Sequence, residues 1–75
     1  MPKLRRVSGR EAIRALERLG FVQVRQRGSH IVLKKNTPEG DVGCTVPLHR
    51  ELAIGTLQGI LRQAGITPDE FMVNL

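Results

Sequence analysis

The sequence has no tryptophan, no tyrosine and only two phenylalanines, Phe21 and Phe71. Readers of single-stranded RNA such as RNA-recognition-motif sheets and OB-folds stack bases on exposed aromatic side chains, so neither is expected. The single cysteine, Cys44, has no partner for an internal disulfide, which fits a reducing, cytoplasmic setting better than secretion. Residues 1–10 contain no apolar run suited to a signal peptide. No stretch approaches the ~20 apolar residues of a membrane span, so no membrane partner is expected. One cysteine and two well-separated histidines, His30 and His49, offer no zinc-type ligand spacing. Nor is there a phosphate-cradling glycine loop. Neither a metal nor a cofactor is expected, and no internal repeat or low-complexity segment breaks the chain.

What is present is compact. Seventy-five residues suit a single domain spanning 1–75, and a chain of this size buries about 60% of its unfolded surface. A hydrophobic share of 40% and a charged share of 25% are those of an ordinary globular domain. Twelve Lys and Arg against seven Asp and Glu give +5. That excess calls for a polyanion or an acidic protein as partner. Charge alone does not separate RNA, DNA, a membrane surface and an acidic antagonist.

After a basic lead-in over residues 1–7, Ser8-Gly9-Arg10-Glu11 has the form of a capping box and opens a helix over Gly9 to Leu19. Ala12, Ile13, Leu16 and Leu19 share one helix face, Arg10, Arg14 and Arg18 take the opposite one, and Gly20 is the expected left-handed stop. Phe21 to Arg25 reads as a strand, Gln26-Arg27-Gly28-Ser29 as a turn and His30 to Lys35 as a second strand. Asn36-Thr37-Pro38-Glu39-Gly40 is turn chemistry. Val42 to Val46 is a third strand ended by Pro47. Leu48 to Gly55 reads as a loop. Leu57, Ile60, Leu61 and Ala64 then mark a helix over Thr56 to Ala64, stopped by Gly65. Thr67-Pro68-Asp69-Glu70 opens a terminal helical turn through Phe71 or Met72. The pattern predicts a two-layer α+β domain of order α-β-β-β-α, its two helices covering one side of a three-stranded antiparallel sheet.

Alternation along the second strand assigns Ile31 and Leu33 to the core and turns His30, Val32 and Lys34 to the open side. If the first hairpin turns through Arg27-Gly28, Arg25 lies opposite His30 and Val24 opposite Ile31. A neighbouring cation disfavours the protonated imidazole, so His30 is expected to be neutral at neutral pH and available as a general base, with Arg25, Arg27 and Lys34 holding phosphate. Against this stands the plainer reading of a lone surface histidine as a solvated side chain. Ser29 is not a nucleophile for His30, because strand neighbours point to opposite faces.

Gly28-Ser29-His30 at the start of the second strand resembles the signature of the HicA toxin family. Val46-Pro47-Leu48-His49 resembles that family's V-P-x-H segment, and Gly55-Thr56-Leu57, Ile60-Leu61 and Ala64-Gly65-Ile66 are similar to its C-terminal helix and exit. The resemblance covers about Ser8 to Phe71. It implies a fold like that of double-stranded-RNA-binding domains and a toxin that cleaves mRNA endonucleolytically. His30 matches the family's essential histidine, and Gly28, Arg25, Arg27 and Lys34 become candidates for RNA contact. The implied partner is a HicB-like antitoxin that covers the active site and represses the operon together with the toxin, so that DNA is engaged only through that complex. One departure is the start of the second long helix, Gly55-Thr56-Leu57-Gln58-Gly59, which lacks the lysines used to read an RNA duplex by shape.

The competing reading is a non-catalytic RNA-binding module that grips phosphate through a basic open sheet. A third is a domain that captures an acidic protein. Three features keep plain alternatives. The Arg10, Arg14, Arg18 stripe is either a phosphate track or a solvated face paired at i, i+3 with Glu11 and Glu17. His49 reads as structural or partner-facing, and Cys44 as a small core residue.

Overall fold

The computed structural model describes residues 4–75. The first three residues of the basic lead-in lie outside the described residues. The chain runs α1 (Gly9–Arg18), β1 (Val22–Arg27), β2 (His30–Thr37), β3 (Gly40–Pro47), α2 (Ile54–Ala64) and α3 (Pro68–Val73). This is the expected α-β-β-β-α order with a short third helix. The strands form one antiparallel sheet of order β1-β2-β3.

Both capping boxes form. The Ser8 hydroxyl accepts from the Glu11 N–H at 3.0 Å, and the Glu11 carboxylate accepts from the Ser8 N–H at 2.9 Å. Thr67 and Glu70 repeat the exchange at 3.1 and 3.0 Å at the start of α3, where Pro68 occupies the first turn. The α2 helix begins at Ile54, two residues before the expected start at Thr56. Its N-cap is Ala53, whose side chain makes no capping bond. The expectation failed there because the usual hydroxyl or amide cap is missing. The Ala53 carbonyl nonetheless accepts the Leu57 N–H at 2.9 Å. Gly65 closes α2 in the left-handed conformation.

The β1–β2 hairpin turns through Gly28-Ser29, with Arg27 opposite His30, Gln26 opposite Ile31 and Arg25 opposite Val32. The expected pairing of Arg25 with His30 and of Val24 with Ile31 is therefore corrected by two residues. The reason is Gly28, whose φ of +56° suits the first central position of a tight two-residue hairpin turn. A shift of two preserves the face of every side chain, so Arg25 and Arg27 remain on the side of His30. Further along, the register slips between Gln23 and Arg25. Val24 is the extra residue of a β-bulge, and it is half exposed.

One hydrophobic cluster joins Ala12, Ile13 and Leu16 of α1, Leu33 and Val46 of the sheet, Leu57 and Leu61 of α2, and Phe71 of α3. Both long helices pack on β3. Every residue of β1 is exposed, so this edge strand lies beyond the helical cover. Phe21, expected to begin β1, instead precedes it as a buried anchor at 2% exposure. The lead-in is also tied down where it is described: Val7 is buried, and its carbonyl accepts the Leu52 N–H at 2.7 Å. The start of α1 presses on the end of β3. Gly9 N–H donates to the His49 carbonyl at 2.9 Å, and a Cβ on Gly9 would come within 2.1 Å of the Pro47 carbonyl oxygen. Pro47 pairs with His30 and is tolerated because β3 is an edge strand.

Candidate nucleic-acid interface

His30 is the first residue of β2, fixed on one side by Arg27 and on the other by Pro47. Its neighbours Ile31 and Leu33 are buried under the helices, at 5% and 0% exposure. The pleat therefore turns His30 to the open face, where it is exposed. A shallow cavity of about 470 Å³ lies there, lined by Arg25, Arg27, His30, Val32 and Thr45. Three expected site residues, Arg25, Arg27 and His30, thus meet in one place.

The other two stand apart from that cavity. Lys34 lies four residues along β2 from His30, roughly 13 Å at strand rise. It extends the positive face without lining the cavity. Gly28 forms the turn beside the site, and a Cβ there would meet nothing within 4 Å. Its positive φ, and not lack of room, is what favours glycine at this position.

Thr45 is the residue that sequence reasoning passed over. Cys44 and Val46 point inward, so alternation already places Thr45 outward, and β2–β3 pairing sets it beside Val32. It brings a hydroxyl that can donate or accept. His49 does not line the cavity. Its side chain is exposed, and its backbone carbonyl accepts from the Gly9 N–H.

The electrostatics of this face are simple. Among the described residues the ion pair is Arg6–Glu51 at 3.4 Å, so Arg25, Arg27 and Lys34 have no carboxylate partner. Among the described residues neither Glu11 nor Glu17 forms a close ion pair with the arginine stripe of α1, although Arg14 adds to the lowering of the Glu11 carboxyl. Glu11 is held in its capping box, where the Ser8 backbone N–H lowers its carboxyl below the usual range. Glu17 accepts from the Gln23 amide at 3.3 Å, and Arg18 donates to the Asn74 carbonyl at 2.8 Å. On the covered face, burial pushes the Cys44 thiol up to about 11, which marks it as a core residue and a poor nucleophile. Among the described residues no three His, Cys, Asp or Glu side chains converge as a metal-binding group, and no helix is long and apolar enough to cross a membrane.

Residues 9–66 match the family described as the HicA toxin of bacterial toxin–antitoxin systems. The chain belongs to the HicA toxin family. The matched span runs from the first residue of α1 to the residue after the Gly65 cap and contains the whole open-face cavity. Membership makes the protein a toxin of a toxin–antitoxin system and implies pairing with a HicB antitoxin. No curated protein matches the chain.

Proposed function

We propose that this HicA-family toxin is an endoribonuclease that cleaves mRNA, with His30 as its general base. The observation that carries the reading is the cavity in which His30 sits beside Arg25 and Arg27 on an uncovered sheet face. An imidazole can remove a proton near neutral pH, and two permanently charged guanidiniums can receive the phosphate.

In the proposed reaction His30 takes the proton of a ribose 2′-OH. The 2′ oxygen forms a bond to the adjacent phosphorus, and the bond from phosphorus to the 5′ oxygen breaks. The products are a 2′,3′-cyclic phosphate and a 5′-hydroxyl, whose proton comes from the imidazolium or from water. Arg25 and Arg27 stabilise the added negative charge of the phosphorane, with the Thr45 hydroxyl as a further donor. Lys34 and the Gly28 turn guide the flanking RNA. One positioned acid–base group supplies typically ~10²–10⁴-fold, and among the described residues the cavity lining holds no second group of that kind, so a modest nuclease is expected. The HicB partner is expected to cover this face, which has no other cover among the described residues.

The test is incubation of the purified protein with cellular RNA in chelator, beside His30→Ala. Cleavage by the wild type alone supports the reading. Cleavage by both variants moves the chemistry away from His30. Salt-sensitive binding by both without cleavage replaces the enzyme with an RNA-binding module.

A further inference from the structure

The β1 strand has two usable sides. Its bulge at Val24 absorbs one residue, so Gln23 and Gln26, three apart in sequence, behave as if two apart and share a face. They oppose Leu33 and Ile31 and therefore look toward the helices, while Arg25 and Arg27 look the other way. Because the helices do not cover β1, the two amides border a cleft of about 280 Å³ against α1. Ile13 and Ile31, both at 5% exposure, and the half-buried Leu48 form its apolar floor. Arg10, Arg14 and Glu17 of α1 form the opposite rim.

This lining has a chemical signature. Its volume lies near the lower end of small-ligand pockets. Gln26 Nε2 donates to the Gly28 carbonyl at 2.9 Å, and Gln23 Nε2 to the Glu17 carboxylate at 3.3 Å. Each amide thus has its orientation fixed and keeps a second N–H and a carbonyl oxygen for a ligand. Fixed amides over an apolar floor suit the edge of a planar heterocycle. Both phenylalanines are buried, so a base finds no aromatic side chain to stack on. Guanidinium planes such as those of Arg10 and Arg14 serve that purpose in RNA recognition. An acidic protein fits less well, because it would meet the Glu17 carboxylate.

We infer that the α1–β1 cleft holds one unstacked nucleotide of the RNA, its base on the Gln23, Gln26 and Glu17 groups and its phosphate at Arg10 or Arg14. This rests on the ribonuclease reading above and adds a specificity site on the opposite side of β1 from His30. The RNA crosses the free β1 edge between the two. Glu17 accepts hydrogen bonds only, so guanine, which presents its N1–H and its exocyclic amino group side by side, is favoured over uracil, which offers the single N3–H donor.

The experiment is a titration of the full-length isotope-labelled protein with AMP, CMP, GMP and UMP, and separately with inorganic phosphate, read by NMR. The expected result is movement of the Gln23 and Gln26 side-chain amides and the Ile13 and Ile31 methyls. UMP should bind about tenfold more weakly than GMP, in the range of one lost base contact. Glu17→Gln and Gln26→Leu, both at exposed positions, should narrow that ranking while leaving the remaining methyl spectrum in place. The inference is overturned if nucleotides move only resonances around His30, if phosphate alone reproduces the shifts, or if the cleft responds to the antitoxin and to no nucleotide. Cleavage of cellular RNA by the wild type is scored separately. Base-ranked shifts without cleavage would keep the cleft and remove the enzyme. Cleavage without cleft shifts would do the reverse.

Discussion

On the helix side of the sheet, Ile31, Leu33, Cys44 and Val46 are all at most 5% exposed and belong to a single apolar cluster. On the other side, His30, Lys34 and Thr45, each next in sequence to one of these, stand exposed and are joined by Arg25 and Arg27 from β1. Consecutive residues of one strand therefore carry different burdens: one face determines whether the domain folds, and the other offers charge and an imidazole to solvent. A chain of 75 residues has little core to spare, and placing the candidate site entirely on the uncovered face leaves that core free of polar groups. No polar or charged residue is buried among those described.

Substitutions that cross the pleat probe this division most strongly. Leu33→Ala should cost about 2–5 kcal/mol in chemical denaturation, the range for a buried leucine. Its neighbour Lys34→Ala should stay within about 0.5 kcal/mol. Equal costs would mean that the open face is structural after all. Next comes Gly9→Ala, which forces a methyl onto the Pro47 carbonyl. About 1–3 kcal/mol is expected for such overpacking. Because Pro47 pairs with His30, this variant should also perturb the His30 resonances, linking the two faces where α1 meets β3.

Arg25→Ala and Arg27→Ala should leave stability within about 0.5 kcal/mol yet weaken RNA binding. Each should reduce the salt dependence by about 0.7 in the log–log slope for a single strand, measured by fluorescence anisotropy. An unchanged slope would remove that arginine from the phosphate path.

The smallest effects concern titration. Glu11 and Glu70 are lowered, chiefly by the Ser8 and Thr67 backbone N–H groups respectively. The charged form is favoured in the fold, so their contribution is present above the ordinary carboxylate range and is lost as pH falls through and below it. Glu11→Gln with Glu70→Gln should flatten the acid limb of stability against pH. Cys44 has the opposite sign. Its thiol is raised to about 11 by burial, so its contribution is present at neutral pH and lost as pH rises toward that value. Iodoacetamide should modify Cys44 only upon unfolding.

Much of the fold was legible because local signals agreed. The two capping boxes, the apolar periodicity of α2 and the alternation of β2 each pointed to one arrangement. What was not legible depended on backbone geometry. The α2 start carries no capping side chain at Ala53. The hairpin register turned on which of two adjacent turn positions Gly28 would occupy. The bulge at Val24 left no compositional mark, so the facing of Gln23 and Gln26 could not be read. Thr45 was within reach, since the inward Cys44 and Val46 imply it, but it joins the site only once β3 is paired in register with β2. Arg25, Arg27 and His30 were expected together and line one cavity, although the residue opposite His30 is Arg27 and not Arg25.

The most direct test of the central claim is cleavage of cellular RNA in chelator by the wild type and by His30→Ala, with the thermal midpoint of each recorded. The account predicts a loss of about 10²–10⁴ in cleavage rate with an unchanged midpoint, because His30 is exposed and contributes nothing to the core. Equal cleavage by the two proteins would contradict it.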